Sequence, residues 1–484
     1  MKFPDLDAIF HPKSAALIGA SRDPRKWGFK ISLNVIAEKF HGAFYLVNPK
    51  ETEFLSRQVY PGVRDIPGPV DLAVIVIPAP FVASALKECG EKGVKAAVVI
   101  TSGFSELSPE GEKLEKEITR IARDHGILLV GPNTMGIYSS DVKLHALMVP
   151  VAPFPGKISF VSQSGNLGVQ LLTESRANEV GFQKFVSNGN EAMLHSEDYV
   201  EYFGGDPETR TIMVYLEGFK NPPRFLEIAR RVSREKPIVL LKGGKTDSGA
   251  RAALSHTGAM RSTREISSAI FRQAGIIEVE DTTELLDVAK GFERLPLPRG
   301  PNVGIITGGG GWGVITTDAC ELHGLRVPPL SAGLTADLRK IMPDFWPGGN
   351  PIDLVATVRS PIVHACIEKL AAEPDIDAVI ALGVANRARA FADTPEAISR
   401  TLPPEMLKDK TQVMEEGDRK LAELVSEVIE RHGKPIIAVS VAHPGLQIKE
   451  ISPIVTYPTP ERAVRVLARM YQYHQRQQKK NLKD

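Results

Sequence analysis

Five short aliphatic runs, each closed by turn residues, limit what the first part of this chain can become. Ser14-Ala-Ala-Leu-Ile-Gly19, Ala43-Phe-Tyr-Leu-Val47, Leu72-Ala-Val-Ile-Val-Ile77, Ala96-Ala-Val-Val-Ile100 and Ile127-Leu-Leu-Val130 are short for helices and show almost no polar alternation. Stretches of helical pattern lie between them. Near-continuous aliphatic strands separated by helices predict a parallel sheet covered on both faces, because only a strand buried on both sides does without polar positions. Each run ends in small or turn residues: Gly19-Ala-Ser21, Asn48-Pro49, Pro78-Ala-Pro80, Thr101-Ser-Gly-Phe-Ser105 and Gly131-Pro-Asn-Thr134. In a doubly wound sheet those carboxyl ends line one crevice, where nucleotide-like ligands bind.

Composition narrows the class. The chain has 484 residues, 43% hydrophobic and 24% charged, enough for roughly three globular domains. A net charge of +1 gives no electrostatic case for nucleic acid. Cys89, Cys320 and Cys366 lack metal-ligand spacing, so no metal site is expected, and free thiols fit a cytoplasmic protein. The start, Met1-Lys-Phe-Pro-Asp5, has no apolar signal core, and no apolar run approaches the ~18 residues of a membrane span. Neither export nor membrane insertion is expected.

The crevice does not read as a nicotinamide site. After Gly19 the next glycine is Gly28, so G-x-G-x-x-G is not formed, and the second strand ends in Asn48-Pro49 without an acid. Arg22, Arg25 and Lys26 could meet phosphates, although three cations after a strand also suit a solvated rim. Gly244-Lys-Thr246 resembles the end of a P-loop, but Val239 stands where that loop needs glycine. No ATP-grasp stretch is visible, so a dedicated ATP domain is not expected in this chain.

A second unit starts near Pro153-Phe-Pro-Gly156. The strand Ile158-Ser-Phe-Val161 runs into Ser162-Gln-Ser-Gly-Asn-Leu-Gly168, which opens a helix through Val169-Gln-Leu-Leu172. Such a turn offers backbone N–H groups and the positive helix end to an anion. A tight turn with glycine kept for packing would read the same. The pattern recurs, however: Val303-Gly-Ile-Ile306 leads into Thr307-Gly-Gly-Gly-Gly-Trp-Gly313, with Gly310 against Gly165 and Gly313 against Gly168.

Between the two turns lies Lys242-Gly-Gly-Lys-Thr-Asp-Ser-Gly-Ala-Arg-Ala-Ala-Leu-Ser-His256-Thr-Gly-Ala-Met260, following the apolar run Pro237-Ile-Val-Leu-Leu241. Most of the 11 histidines invite an ordinary surface or core reading. His256 differs: its neighbours are small or polar, and only Leu254 and Met260 are large apolar residues nearby. A neutral imidazole is a nucleophile near pH 7, and a phosphoryl carrier needs one on a loop of small residues. Another apolar run, Thr211-Ile-Met-Val-Tyr-Leu216, ends in Glu217-Gly218, a carboxylate placed to orient an imidazole by hydrogen bonding.

Pro296-Leu-Pro-Arg-Gly-Pro301 reads as a linker to a third unit with strands Asp377-Ala-Val-Ile-Ala-Leu382 and Pro435-Ile-Ile-Ala-Val439. Residues 386 to 415, with few aliphatics, read as a long loop or lid. Ala463, Val464, Leu467, Met470 and Tyr471 make one apolar helix face, and the tail from Gln475 is polar and expected to fray. The expected layout is 1–147, 148–298, 299–474 and a tail 475–484.

Gly249-Ala-Arg-Ala-Ala-Leu-Ser-His-Thr-Gly258 resembles the swinging phosphohistidine loop of NDP-forming acyl-CoA synthetases, of the succinyl-CoA synthetase superfamily. Ile18-Gly-Ala-Ser21, Gly131-Pro-Asn133, Ser162-Gln-Ser-Gly165, Glu217-Gly218 and Asn350-Pro-Ile-Asp353 extend the resemblance to an alpha subunit over residues 10 to about 472. It implies an α/β fold: a Rossmann-like CoA-binding domain followed by two flavodoxin-like domains. It also implies His256 as phosphoryl carrier and Glu217 as its orienting carboxylate. Ser162, Ser164 and Gly165 would open one phosphate-binding helix, and Gly309, Gly310 and Gly311 the other. Coenzyme A would lie along Gly19, Ser21, Lys26, Pro49, Pro78, Thr101 and Asn133.

The implied reaction converts acyl-CoA, ADP and phosphate into carboxylate, CoA and ATP. ADP and Mg²⁺ would be held mainly by an ATP-grasp beta subunit, in an α2β2 assembly. Three departures stand out: Thr134 where relatives often have Cys, Arg261 where small or apolar residues are usual, and Trp312 in the second glycine turn. The competing reading is a CoA-binding or regulatory homologue without chemistry, against which His256, Glu217 and both glycine turns stand. Acetyltransferase fusions of this family would need a further domain, which the length does not accommodate.

Overall fold

The aliphatic runs become the strands of three sheets. In the first, β1 (Ser14–Ile18), β2 (Ala43–Val47), β3 (Glu53–Phe54), β4 (Arg57–Tyr60), β5 (Leu72–Ile75), β6 (Ala96–Val99) and β7 (Leu128–Val130) take the order β3-β4-β2-β1-β5-β6-β7. From β4 to β7 all pairs are parallel. Every residue of β1, β5 and β6 is buried, which is why these runs carry no polar alternation. The chain leaves β1 toward β2 on one side and returns through β5 on the other, so the crevice opens at the carboxyl ends of β1 and β5.

This computed structural model describes residues 5–246, 248–249, 251, 264–355, 359–388, 400–401, 403–440 and 451–481. It divides into two compact units, Met1–Leu285 and Leu286–Asp484. The first unit also holds a second sheet, made of β8 (Gly136–Ser139), β9 (Leu144–Leu147), β10 (Phe154–Ser162), β11 (Gly181–Ser187), β12 (Thr211–Leu216), β13 (Ile238–Lys242) and β14 (Ile277–Val279). Their order is β14-β13-β12-β10-β11-β8-β9, parallel up to β11 and closed by the antiparallel hairpin β8–β9. Strand pairing therefore starts this sheet at Gly136, whereas the sequence put 136–147 with the first domain. The hairpin follows β7 closely in the chain, and only its hydrogen bonds to β11 reveal its sheet.

The second unit has one parallel sheet, β15 (Val303–Thr307), β16 (Ile352–Asp353), β17 (Ala378–Leu382), β18 (Ile436–Val439) and β19 (Thr456–Tyr457), in the order β16-β15-β17-β18-β19. Helices Ser360–Ala372 and Pro404–His432 bury Val363, Ile367, Leu370, Val425 and Val428 in one core with Ile306, Val379 and Ala438 of the sheet. Elsewhere in the unit, helix Gly310–Leu322 packs on Pro460–Asn481, and Arg462 holds Asp287 through two hydrogen bonds of 2.6 and 2.7 Å.

Two sequence expectations need correction here. Residues from Pro404 onward are helix, so the stretch read as a loop or lid is helical over 404–415. Met406 and Val413 on its early turns are exposed, so neither adds to a buried apolar stripe. The polar tail does not fray at Gln475, since the last helix continues to Asn481. Gln, Arg and Lys are good helix formers, and Gln475 bonds Tyr471 one turn back at 2.6 Å. Among the described residues no helix is long and apolar enough to cross a membrane.

Candidate active site

Six of the seven residues suggested for CoA lie just past the carboxyl ends of first-sheet strands, and the seventh, Lys26, is the N-cap of helix Trp27–Ala37. Gly19 follows β1 with φ +104°, donates its N–H to the Val47 carbonyl at 2.9 Å, and has no room for a side chain: a Cβ would stand 2.6 Å from the Val76 carbonyl oxygen. Ser21 is buried and accepts from the Asp23 N–H at 3.2 Å. Pro49 and Pro78 are exposed beyond β2 and β5. The Thr101 hydroxyl donates to the Ile77 carbonyl at 2.6 Å, and its own carbonyl accepts from Asn133 N–H at 2.9 Å. Asn133 is left-handed, φ +59°, and reaches Asn190 at 3.2 Å.

The three cations after β1 part company. Arg22 is paired with Glu51 at 2.6 Å and Arg25 with Asp23 at 2.9 Å, whereas Lys26 is exposed and makes no ion pair among the described residues. Beside the hydrogen bonds from Arg25 and Arg22, its ammonium still lies close enough to Asp23 and Glu51 to help hold both carboxyls below their ordinary range.

Both glycine turns do start helices. Ser164 is the N-cap of Gly165–Ala177 and its hydroxyl accepts from Leu167 N–H at 3.4 Å. Ser162 is fully buried, its hydroxyl donating 2.7 Å to the Ser164 carbonyl, so it shapes the turn from inside. In the other unit Gly309 is the N-cap of Gly310–Leu322, its N–H donating to the Thr307 hydroxyl at 3.1 Å. Gly309, Gly310 and Gly311 are exposed at that helix start, and Trp312 lies over Gly383 at the end of β17, 3.0 Å from where a Cβ would be. Each turn thus presents the unbonded N–H groups of a helix start.

Glu217 stands one residue past β12 and is half-buried. Its neighbour strand β13 pairs Lys242 with Leu216, so Gly243 lies beside Glu217; a Cβ on Gly243 would be 3.4 Å from Glu217 Cγ. Tyr215 donates its hydroxyl to Glu217 Oε1 at 3.4 Å, and burial pushes that phenol well above its ordinary range, keeping it protonated. Lys242 donates to the Glu217 carbonyl at 2.6 Å, and burial pulls its ammonium down. The chain segment that carries His256 leaves from this corner. His256 itself, like Arg261, lies outside the described residues.

Sequence reading passed over Gln163, Glu191, Tyr215 and Lys242, all of which surround the Glu217 corner. Gln163 had a signal, being a long amide inside a turn of small residues, but Glu191 had none in one dimension. Thr134 has a packing role: its hydroxyl accepts from Gly136 N–H at 3.0 Å and donates to the Ser187 carbonyl. Among the described residues no group of three or more His, Cys, Asp or Glu is set to hold a metal ion.

The CoA binding domain family matches residues 13–140, the succinyl-CoA ligase like flavodoxin domain residues 155–292, and the ligase-CoA domain residues 303–395. The chain is 37% identical over 460 residues to the acetate–CoA ligase [ADP-forming] II subunit alpha of Pyrococcus furiosus, covering 94% of this chain and 95% of the relative. It is also 37% identical over 480 residues to the I subunit alpha of that organism, with 97% of each covered. Among solved structures, the dinucleotide forming acetyl-coenzyme A synthetase 1 of Ca. Korarchaeum cryptofilum, in complex with phosphate and ADP, superposes with a TM-score of 0.85 at 32% identity over 99% of both chains. These matches run the length of the molecule, and the chain belongs to the family of ADP-forming acyl-CoA ligase alpha subunits.

Proposed function

We propose that the chain carries the acyl-transfer and first phosphoryl-transfer steps of an ADP-forming acyl-CoA ligase, with His256 as carrier and Glu217 as its orienting carboxylate. Phosphate oxygen attacks the thioester carbonyl of acyl-CoA, and the CoA thiolate leaves. An imidazole nitrogen of His256 takes the phosphoryl group from the acyl phosphate, releasing the carboxylate. The phosphoryl group then passes to ADP, giving ATP and regenerating the imidazole. At every step negative charge shifts among phosphate oxygens, and helix starts such as Ser164-Gly165 and Gly309-Gly310-Gly311 offer fixed N–H donors for it without reorganisation.

CoA lies on the strand-end crevice, its phosphates toward Lys26. ADP, with the Mg²⁺ that neutralises its phosphates, is held by an ATP-grasp beta subunit in an α2β2 assembly in the cytoplasm. The observation that carries the reading is the Glu217 corner: the carboxylate adjoins Gly243, where the His256 segment begins. A carboxylate there hydrogen-bonds one imidazole nitrogen and leaves the other as nucleophile.

The test incubates the full chain, with and without its beta subunit, with ³²P-labelled phosphate, Mg²⁺ and a panel of acyl-CoAs headed by acetyl-CoA, since the similar Pyrococcus chains are named for acetate. Acid-labile label on His256, absent from His256→Ala, is the expected result. Label or turnover retained by His256→Ala would overturn the carrier role. CoA binding with no label under any condition would favour a CoA-binding homologue that has no chemistry.

A further inference from the structure

Gln163 takes no part in the steps above, yet all four hydrogen-bonding positions of its amide are used. Oε1 accepts from the N–H of Glu217 at 2.6 Å and of Gly218 at 3.1 Å. Nε2 donates to the Gly218 carbonyl at 2.8 Å and to Glu191 Oε2 at 2.7 Å. Two donors on one side and two acceptors on the other leave the amide a single orientation.

Glu191 is the anchor. It is 4% exposed, and its Oε1 accepts from Ser196 N–H at 2.7 Å, from the Ser196 hydroxyl at 2.6 Å and from Asn188 Nδ2 at 2.6 Å. Its backbone is left-handed, φ +55°, a conformation a residue with a side chain keeps only where its surroundings hold it. A carboxylate buried on a strained backbone is costly to maintain, and its partners explain what it secures. Oε1 is fastened to its own loop and to the start of helix Ser196–Gly205, so Oε2 presents a fixed acceptor to Gln163.

We propose that Gln163, held by Glu191, is a positioning residue that fixes the Glu217–Gly218 backbone and so gives the Glu217 carboxylate one heading. Gly218 is the reason one is needed, because glycine after a strand end rotates freely unless its peptide groups are bonded. Here its N–H and its carbonyl are both tied to one amide. The proposal rests on the orienting role of Glu217.

The test compares Gln163→Ala, Gln163→Glu, the pair Gln163→Glu with Glu191→Gln, and Glu217→Gln in the full chain with its beta subunit. Gln163→Ala is expected to lower kcat about a hundredfold, the scale of a misplaced catalytic group, with KM for acyl-CoA within about threefold of wild type. Gln163→Glu sets two carboxylates face to face, and adding Glu191→Gln, which restores a donor between them, is expected to recover about tenfold. Hydrogen exchange at the amides of 217 and 218 is expected to quicken in Gln163→Ala while the rest of the sheet stays protected.

Wild-type kcat or unchanged exchange in Gln163→Ala, beside a slow Glu217→Gln, would overturn the positioning role and leave Glu217 in place. Absence of rescue in the double variant would likewise count against the Glu191 anchor. Wild-type kcat in Glu217→Gln would overturn both readings.

Discussion

Lys184 shows how little a residue type says by itself. It is fully buried on β11, its ammonium 2.7 Å from Asp206 and 3.1 Å from Asp141. Burial raises the Asp206 carboxyl, but hydrogen bonds from Lys184 and Thr209 outweigh it and hold the group below its ordinary range. Lys184→Met leaves the Asp206 carboxylate buried without its cation, and a loss of about 3–5 kcal/mol in denaturant unfolding is expected. The sign in pH follows from the lowered folded pKa: the Lys184–Asp206 contribution is whole above the unfolded carboxylate value of about 3.9 and is lost as pH falls through the folded one. Wild type should therefore lose stability below about pH 4 more steeply than Lys184→Met. Equal acid slopes for the two would refute this account.

At the level of elements, helix starts and hairpins set what can be tested. Ser164→Ala removes the cap of Gly165–Ala177 and should cost about 1 kcal/mol, measured by thermal unfolding. The hairpin β8–β9 carries His145, whose imidazole burial pushes down to about 4, with only a backbone bond to Val149 opposing it. An imidazole that stays neutral when folded but binds a proton at about 6.5 when unfolded makes stability fall as pH drops from 6.5 toward 4. The effect is about 3 kcal/mol, and His145→Gln should flatten the unfolding midpoint across that window. Hairpins were hard to read in the sequence for a definite reason. The turn between β3 and β4 uses Leu55 and Ser56, both at positive φ, where Asn-Gly would have announced it. Strand β11 hides Gln183 and Lys184 in its core, so its polar letters concealed a buried strand.

Over the whole molecule, the three cysteines give a direct check on both units. Cys89, Cys320 and Cys366 are free and buried, and burial pushes each thiol up to about 12. The native chain should therefore react with none of them rapidly at pH 8 and with all three in denaturant, read by thiol-reagent absorbance. Rapid labelling of a native thiol would contradict the packing. The same division between letters and partners explains what could be read beforehand. The aliphatic runs and glycine turns determined the α/β class, the crevice of strand ends, two helix starts, and Glu217 at the close of a strand, because each depends on neighbours in the chain. Gly243 beside Glu217, the Glu191–Gln163 anchor, the sheet chosen by Gly136–Leu147 and the ion pair around Lys184 depend on partners 22 to 55 residues away. Hydrogen bonds and burial act through space, and only the tertiary structure decides which distant groups come within their few ångströms.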